Sequence, residues 1–380
     1  MNIYFLKNRI QFNRNELSGS FGDIGTDFPL IAGMVLASNL DVAGVFVMFG
    51  LMQILTGIVY GLPMPVQPLK AMAVLVITKY SPSSVLFGAG FAIGLVMLVL
   101  SLTGALNWLA IKIPACVVRG IQFGLGLSLA SLALTKYVPS MGTDGYVLAL
   151  IGFVIMVILL GNRRTPPGIF VIGLGLLYAV FFKVDFNSLS SGIGLRLPQV
   201  SFPDAGDILT GFFLLALPQL PLSISNSVIA TNKTVHDLFP ERNISVKKIG
   251  ITYAVMNLAV PFFKGIPVCH GCGGLAGHYA LGGRTGGSVV IYGSVLVLIG
   301  LMFSQAFHQV IQFFPRPVLG VVLFFEALTL MLFVRDQAHN KRDTAIALLV
   351  ALICLTMPQG YVAGLIIGTV LYYSRYLKGL

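Results

Sequence analysis

A histidine stands between two cysteines, Cys269-His270-Gly271-Cys272, inside the stretch GIPVCHGCGGLAG at 265–277. In a soluble protein that spacing reads as half a zinc site or as a redox CxxC. A closed zinc site needs four ligands, and the chain holds no second His/Cys cluster to supply them. Nucleophilic catalysis at Cys269 or His270 needs a base oriented by a third group, and no such triad is legible. What the stretch does offer is bare backbone: five glycines and a proline between long apolar runs. The other residues with chemistry to offer, Gln67, Lys70, Gln219 and the carboxylates Asp23, Asp27 and Glu326, also sit in apolar surroundings.

Those surroundings decide the class. The 380 residues are 56% hydrophobic and 10% charged, with a mean hydropathy of +0.90. Soluble domains carry roughly 25% charge, so this is an integral membrane protein. A net charge of +11 suggests nucleic acid until the basic residues are placed. They are spread through short links between apolar runs, which is a topology signal, and nucleic acid is not expected as a partner. Cys116, Cys269, Cys272 and Cys354 lie in apolar or glycine-rich settings and make no disulfide framework. The first fifteen residues read as a retained cytoplasmic tail, since they lack the apolar core and cleavage site of a signal peptide.

A spanning helix needs ~20 apolar residues. Spans are expected near 16–38, 42–60, 84–107, 113–134, 146–161, 166–183, 207–230, 244–263, 288–307, 317–334, 342–357 and 359–376. Two further stretches, 62–79 and 265–282, are too short or too broken to cross as plain helices. Counted as broken spans three and ten they bring the total to fourteen, with both termini on one side. Charge tests the count. With a cytoplasmic N-terminus, the inner segments hold Lys7, Arg9, Arg14, Lys112, Arg119, Arg163, Arg164, Lys233, Arg242, Lys247, Lys248, Arg284, Arg335, Lys341, Arg342, Arg375 and Lys378. The outer segments hold Lys79, Lys136, Lys183, Arg196, Lys264 and Arg316. Seventeen against six is a strong positive-inside bias.

Seven spans per half place the second half upside down relative to the first. IPACVVRG (113–120) and FPRPVLGV (314–321) open spans five and twelve, and GLPMPVQPLKA (61–71) and GIPVCHGCGG (265–274) are the broken spans three and ten. Paired interrupted segments in corresponding halves mark the binding site of a secondary transporter. Irregular backbone at membrane depth is tolerated only where it is buried in protein or lines a cavity. Half-helices are therefore expected to begin near Gln67 and His270, facing each other with unpaired N–H groups and about half a positive charge each. Gly271, Gly273 and Gly274 let a ligand approach the main chain. The chemistry is anion binding.

The blocks ELSGSFGDIGTDFPL (16–30), PVQPLKA (65–71), PQLPLSISNSVI (218–229) and CHGCGGLAGHYALGGRTG (269–286) resemble the signature stretches of the prokaryotic and plant molybdate transporters related to the sulfate permease (SulP) family. The likeness extends over nearly the whole chain. It implies an all-α, seven-plus-seven inverted-repeat fold with core spans one to four (1–111) and eight to eleven (201–308). The gate would be spans five to seven (112–200) and twelve to fourteen (309–380). It also implies molybdate as substrate and a prokaryotic cytoplasmic membrane as location. Sulfate permeases usually carry a cytoplasmic STAS domain after the last span, and none is expected here. Cys272 stands where the family more often has a small residue, which weighs against metal or redox chemistry.

On this reading Gln67 and Gln219 donate amide hydrogens to the oxyanion, which keeps binding reversible. Gln219 falls ~18 Å into span eight at 1.5 Å per residue. Pro68, Lys70, Ser223, Asn226, His270, Gly271, Cys272, Gly273 and Gly274 complete the expected substrate set, with Ser223, Ser225 and Asn226 weaker candidates than Gln67 and Gln219. Asp23 and Asp27 lie four apart on one face of span one, and Glu326 sits nine residues into span twelve. Intramembrane carboxylates default to a functional reading. Proton carriage by Asp23, Asp27, Glu326 or His270, or pairing of a carboxylate with Lys70, is expected. Two helix ends supply roughly +1 together, half of what a dianion needs; Lys70 or a co-transported proton would supply the rest. Arg284 and Thr285 are expected in gating.

The expected activity is thus secondary active transport of molybdate by alternating access, with proton symport one way of coupling it and a sulfate or tungstate permease lacking a STAS domain as the alternative. The partners are the oxyanion, membrane lipid and H+, with a homodimer left open. No cofactor or metal is expected, and no P-loop is present for ATP-driven pumping. A nucleobase permease is disfavoured by the lack of a glutamate in the middle of span eight, and an intramembrane Cys/His enzyme or metal-binding protein is the alternative from another class.

Overall fold

The computed structural model describes residues 9–79, 81–160, 167–182 and 192–374. Lys7, Arg163, Arg164, Lys183, Arg375 and Lys378, used above for orientation, lie outside the described residues. The fold is almost entirely helical. The chain opens with α1 (Arg14–Gly19), α2 (Ile24–Ser38) and α3 (Val42–Tyr60). A two-residue strand, β1 (Gln67–Pro68), leads into the half-length α4 (Lys70–Lys79). Then come α5 (Ser83–Thr103), the short α6 (Ala105–Lys112), α7 (Ala115–Leu132), α8 (Gly142–Ile158) and α9 (Pro167–Phe182).

The second part repeats the order. A long continuous run joins α10 (Ala205–Gly211), α11 (Leu217–Leu222) and α12 (Thr231–Leu238) through π-helical turns at Phe212–Ala216 and Ser223–Ala230. After α13 (Val246–Ala259), strand β2 (Val268–Cys269) leads into the half-length α14 (Cys272–Ala280). The chain continues as α15 (Gly287–Met302), α16 (Ser304–Phe313), α17 (Arg316–Leu332), α18 (Lys341–Thr356) and α19 (Gly360–Tyr373).

Among the described residues, five helical runs are long and apolar enough to cross a membrane: Val42–Tyr60, Ser83–Thr103, Ala115–Ile158, Ala205–Leu238 and Arg316–Gln337. Counting α15 and α16 as one span makes six, but the pair is bent by 96°. The continuous span expected at 288–307 is thus corrected to end at Met302, because α16 turns away with polar residues on one side. Span one is likewise interrupted at 20–23 between α1 and α2. There Glu16 turns its buried carboxylate onto the N–H groups of Arg284, Thr285 and Ser288 (2.9–3.0 Å), just ahead of and into the first turn of α15.

The broken stretches follow from local chemistry. Pro63, Pro65 and Pro68 have no N–H to give a helix, so the chain after α3 runs extended. Its backbone polar groups must still be satisfied away from water. Gln53 of α3 does this, its Nε2 donating to the Val66 carbonyl (2.8 Å) and its Oε1 accepting from the Val66 N–H (3.2 Å). Asn257 of α13 makes the same clamp on Val268, at 2.6 and 2.9 Å. The two extended pieces then pair antiparallel, Gln67 opposite Cys269 and Pro68 opposite Val268. That pairing delays the half-helices to Lys70 and Cys272, two or three residues later than expected. α3 packs on α15, α13 on α5, and α7 on α17 and α18. The side chains of α4 from Ala71 to Ile77 are buried, while α8 and α19 expose Leu150, Phe153, Ile366 and Val370.

Candidate anion site

A cavity of about 230 Å³ opens where the two strands turn into their half-helices. Asp23 of the α1–α2 break and Thr26 in the first turn of α2 line it, with Gln67, Lys70 and Gln122. Gln219, Asn226 and Ser227 come from the long α10–α12 run, Cys269, Cys272 and Gly273 from β2–α14, and Glu326, Thr329 and Phe333 from α17 and the turn after it. The volume suits an oxyanion with some of its waters, since one water occupies ~30 Å³ of liquid.

The two half-helix ends differ. Among the described residues no side chain caps α14, whose N-cap is Gly271, so its first-turn N–H groups remain available to a ligand. Gly273 opens directly on the cavity, and a Cβ built on it would have no neighbour within 4 Å. The end of α4 is instead covered by Gln219, whose Oε1 accepts from the Ala71 (2.8 Å) and Met72 (3.3 Å) N–H groups. The Gln219 Nε2 donates to Ser223 Oγ (3.1 Å), which meets the Tyr253 hydroxyl at 2.7 Å. Gln219 therefore lines the cavity as a helix cap with both ends of its amide in use.

Gln67 is engaged too. Its Nε2 donates to Asp23 Oδ1 at 2.7 Å, and its Oε1 lies where a Cβ on Gly271 would overlap it. The second Asp23 oxygen has no hydrogen-bond partner among the described residues and rests against Gly274, where a Cβ would collide with it. Gly271 and Gly274 thus admit the Gln67–Asp23 pair, and Gly273 faces the open space. Asn226 holds the Cys272 thiol through Oδ1 (3.3 Å), and no acceptor among the described residues takes its NH2. Lys70 Nζ reaches Glu326 Oε1 at 2.5 Å.

Other expected site residues lie off the cavity. His270 is fully buried, with Nδ1 3.1 Å from the Pro65 carbonyl and Nε2 2.8 Å from Thr252 Oγ1. A carbonyl accepts only from N–H, so Nδ1 carries the proton and Nε2 accepts from the threonine. A neutral imidazole fills both roles, which makes His270 a strut between the two extended segments. Asp27 is buried behind Asp23, beside Tyr292. Pro68 is held in the strand pair and Ser223 in its chain with Tyr253, and Ser225 bonds back to the Pro221 carbonyl. Arg284 stacks on Tyr279, 3.6 Å from its ring centre, and Thr285 Oγ1 accepts from the Gln11 and Gly287 N–H groups. Among the described residues, no group of three or more His, Cys, Asp or Glu is placed to hold a metal.

The sequence reading passed over Gln53, Asn257 and Glu16, which position the site without touching it. Polar side chains inside apolar runs were the available signal. Thr26, Gln122 and Thr329 carry weaker signals, because single polar residues on a helix most often serve packing.

A family model described as "Molybdate transporter of MFS superfamily" matches residues 15–129 and 211–330. The chain is 34% identical to Molybdate transporter 2 of Arabidopsis thaliana, covering 96% of this chain and 88% of that protein. Identity to Molybdate transporter 1 of the same plant is 31%, covering 95% and 89%. Among solved structures, the transmembrane domain of the cyanobacterial bicarbonate transporter BicA superposes with a TM-score of 0.69 at 17% identity, covering 96% of this chain and 99% of that one. Murine Slc26a9, an anion transporter solved in the inward-facing state, gives 0.72 at 14% identity, covering 97% and 69%. These two likenesses speak to the fold alone.

Proposed function

Since the chain belongs to the molybdate transporter family, as a multi-pass membrane protein on a fold shared with SLC26-type anion transporters, we propose that it carries molybdate by alternating access. The observation that carries the site assignment is the uncapped N-terminus of α14, opening through Gly273 on a cavity that also holds Lys70. Unpaired N–H groups and a helix dipole favour an anion there. The free NH2 of Asn226 adds a neutral donor, which suits a ligand that must leave again. Gln67 and Gln219 take part by holding Asp23 and the end of α4, and either would donate to the anion only after a rotamer change.

The same reading gives fourteen spans in a seven-plus-seven inverted repeat, with both termini cytoplasmic. The matching clamps of Gln53 on Val66 and Asn257 on Val268, seven spans apart, support it. The core would be 1–111 with 201–308 and the gate 112–200 with 309–380, so that the cavity lies between them. Asp23 and Glu326 face the cavity together with Lys70, the single lysine there among the described residues. A dianion entering beside two carboxylates raises the charge cost steeply, so we assign the coupling ion as H+, taken up by one of these two.

The test is uptake of labelled molybdate into proteoliposomes of the purified protein, with and without an imposed inward proton gradient. Sulfate and tungstate serve as competitors. Saturable uptake that the gradient stimulates and excess sulfate barely inhibits is expected. Absence of molybdate uptake beside robust sulfate uptake would turn the assignment to sulfate.

A further inference from the structure

Resting on the reading of this cavity as the oxyanion site, we propose that Glu326 is the site's resident anion. Its carboxylate occupies Lys70 until substrate displaces it, and that displacement unlocks the transporter. Lys70 is the only lysine or arginine lining the cavity among the described residues. Its ammonium sits 2.5 Å from Glu326 Oε1, with side-chain exposures of 18% and 10%. A buried cation requires a counter-charge, and in this structure Glu326 supplies it. An oxyanion at the α14 end would offer Lys70 the same kind of ligand, a negatively charged oxygen, within the same 230 Å³. Both anions on one ammonium would bring like charges side by side, which is the costlier arrangement.

Asp23 does not fill this role, because Gln67 holds one of its oxygens and the other rests on Gly274. Among the described residues, the charges that interact with this region are Lys70, Asp23, Asp27 and Glu326 itself, with Arg119 acting on Cys272 at its edge. Position gives the pair its consequence. Lys70 begins α4 and Glu326 lies on α17, which the proposed division assigns to core and gate. The ion pair thus ties the two units while the site is empty, and a bound oxyanion replaces the tie with a contact confined to the core. Reorientation of the empty carrier is thereby slowed relative to that of the loaded one.

The experiment compares anion affinities, by calorimetry on purified protein, of the wild type, Glu326→Gln, Glu326→Asp, Lys70→Met and the double variant Lys70→Met/Glu326→Gln. Removing the competitor in Glu326→Gln should tighten binding about tenfold or more, the scale of one charge-assisted hydrogen bond. Glu326→Asp keeps the charge but withdraws it by one methylene, roughly 1.5 Å, and should also tighten binding. In the Lys70→Met background Glu326→Gln should add little. Binding by Glu326→Gln no tighter than the wild type overturns the proposal. So does wild-type affinity in Glu326→Asp, which would mean that Glu326 acts only through its field. Molybdate, tungstate and sulfate are each titrated. Their order in the wild type tests the substrate reading, while the variant-to-wild-type ratio for whichever anion binds tests the competition.

Discussion

Replacing Gly273 separates anion binding from folding, because its surroundings make the two effects opposite in sign. Gly273 is the second residue of α14, and a Cβ there meets nothing within 4 Å. Gly273→Ala therefore introduces no clash, and alanine gains up to ~0.5–1 kcal/mol over glycine in a helix, so the melting temperature should hold or rise. Helical Cβ atoms tilt toward the N-terminus, which on the proposed reading is the side from which the oxyanion approaches. Obstructing one N–H contact to a charged ligand costs about 1.5–3 kcal/mol, or roughly 10- to 150-fold in Kd. Gly273→Val should weaken binding further. The neighbours serve as controls: Gly271→Ala and Gly274→Ala drive a methyl into Gln67 Oε1 and Asp23 Oδ2, and should lower the melting temperature. The assay is calorimetric Kd for molybdate beside thermal unfolding followed by size-exclusion fluorescence. Wild-type affinity in well-folded Gly273→Ala and Gly273→Val would place the anion somewhere other than the end of α14.

The cysteines should be dispensable: Cys269→Ser with Cys272→Ser keeps every backbone N–H, so uptake should largely survive, and stoichiometric zinc in the purified protein would restore the metal reading. Gln219→Ala uncovers the Ala71 and Met72 N–H groups and should cost ~1–2 kcal/mol of stability; lost affinity with unchanged melting would instead make Gln219 a direct ligand. Glu16→Gln trades charge-assisted bonds to three N–H groups for neutral ones, a loss of about 1–3 kcal/mol, so unchanged thermal stability would refute its capping role. Asn257→Leu strips Val268 of both backbone partners, at ~1–3 kcal/mol per buried group; protein that melts like the wild type would show that the clamp is not needed.

Much of the architecture was legible because it depends on local properties. Hydropathy marks a lipid-facing chain wherever it occurs. Proline lacks an N–H and glycine lacks a Cβ in any context, so GLPMPVQPLKA and GIPVCHGCGG had to interrupt their helices. The starts of α4 and α14 were misplaced by two or three residues because the β1–β2 pair is made between segments about two hundred positions apart, and neither segment alone reveals the other. The bend at Phe303 was missed for a related reason, since α16 is apolar enough on one side to read as the tail of a span.

The candidate site divides along the same line. The sequence by itself determined that the membrane interior holds two bare-backbone breaks, a lysine and a few amides and carboxylates, each of which needs a partner there. Only the tertiary structure decided who the partners are. Gln67 is bonded to Asp23, 44 positions away, Gln219 caps α4 from 148 positions away, and Lys70 pairs with Glu326 across 256. His270 is spent on Pro65 and Thr252. The capacity to donate or accept a hydrogen bond belongs to a residue and can be read from its name. Whether that capacity is already used, or left open for a ligand, depends on which distant groups the fold brings within 3 Å or so of it.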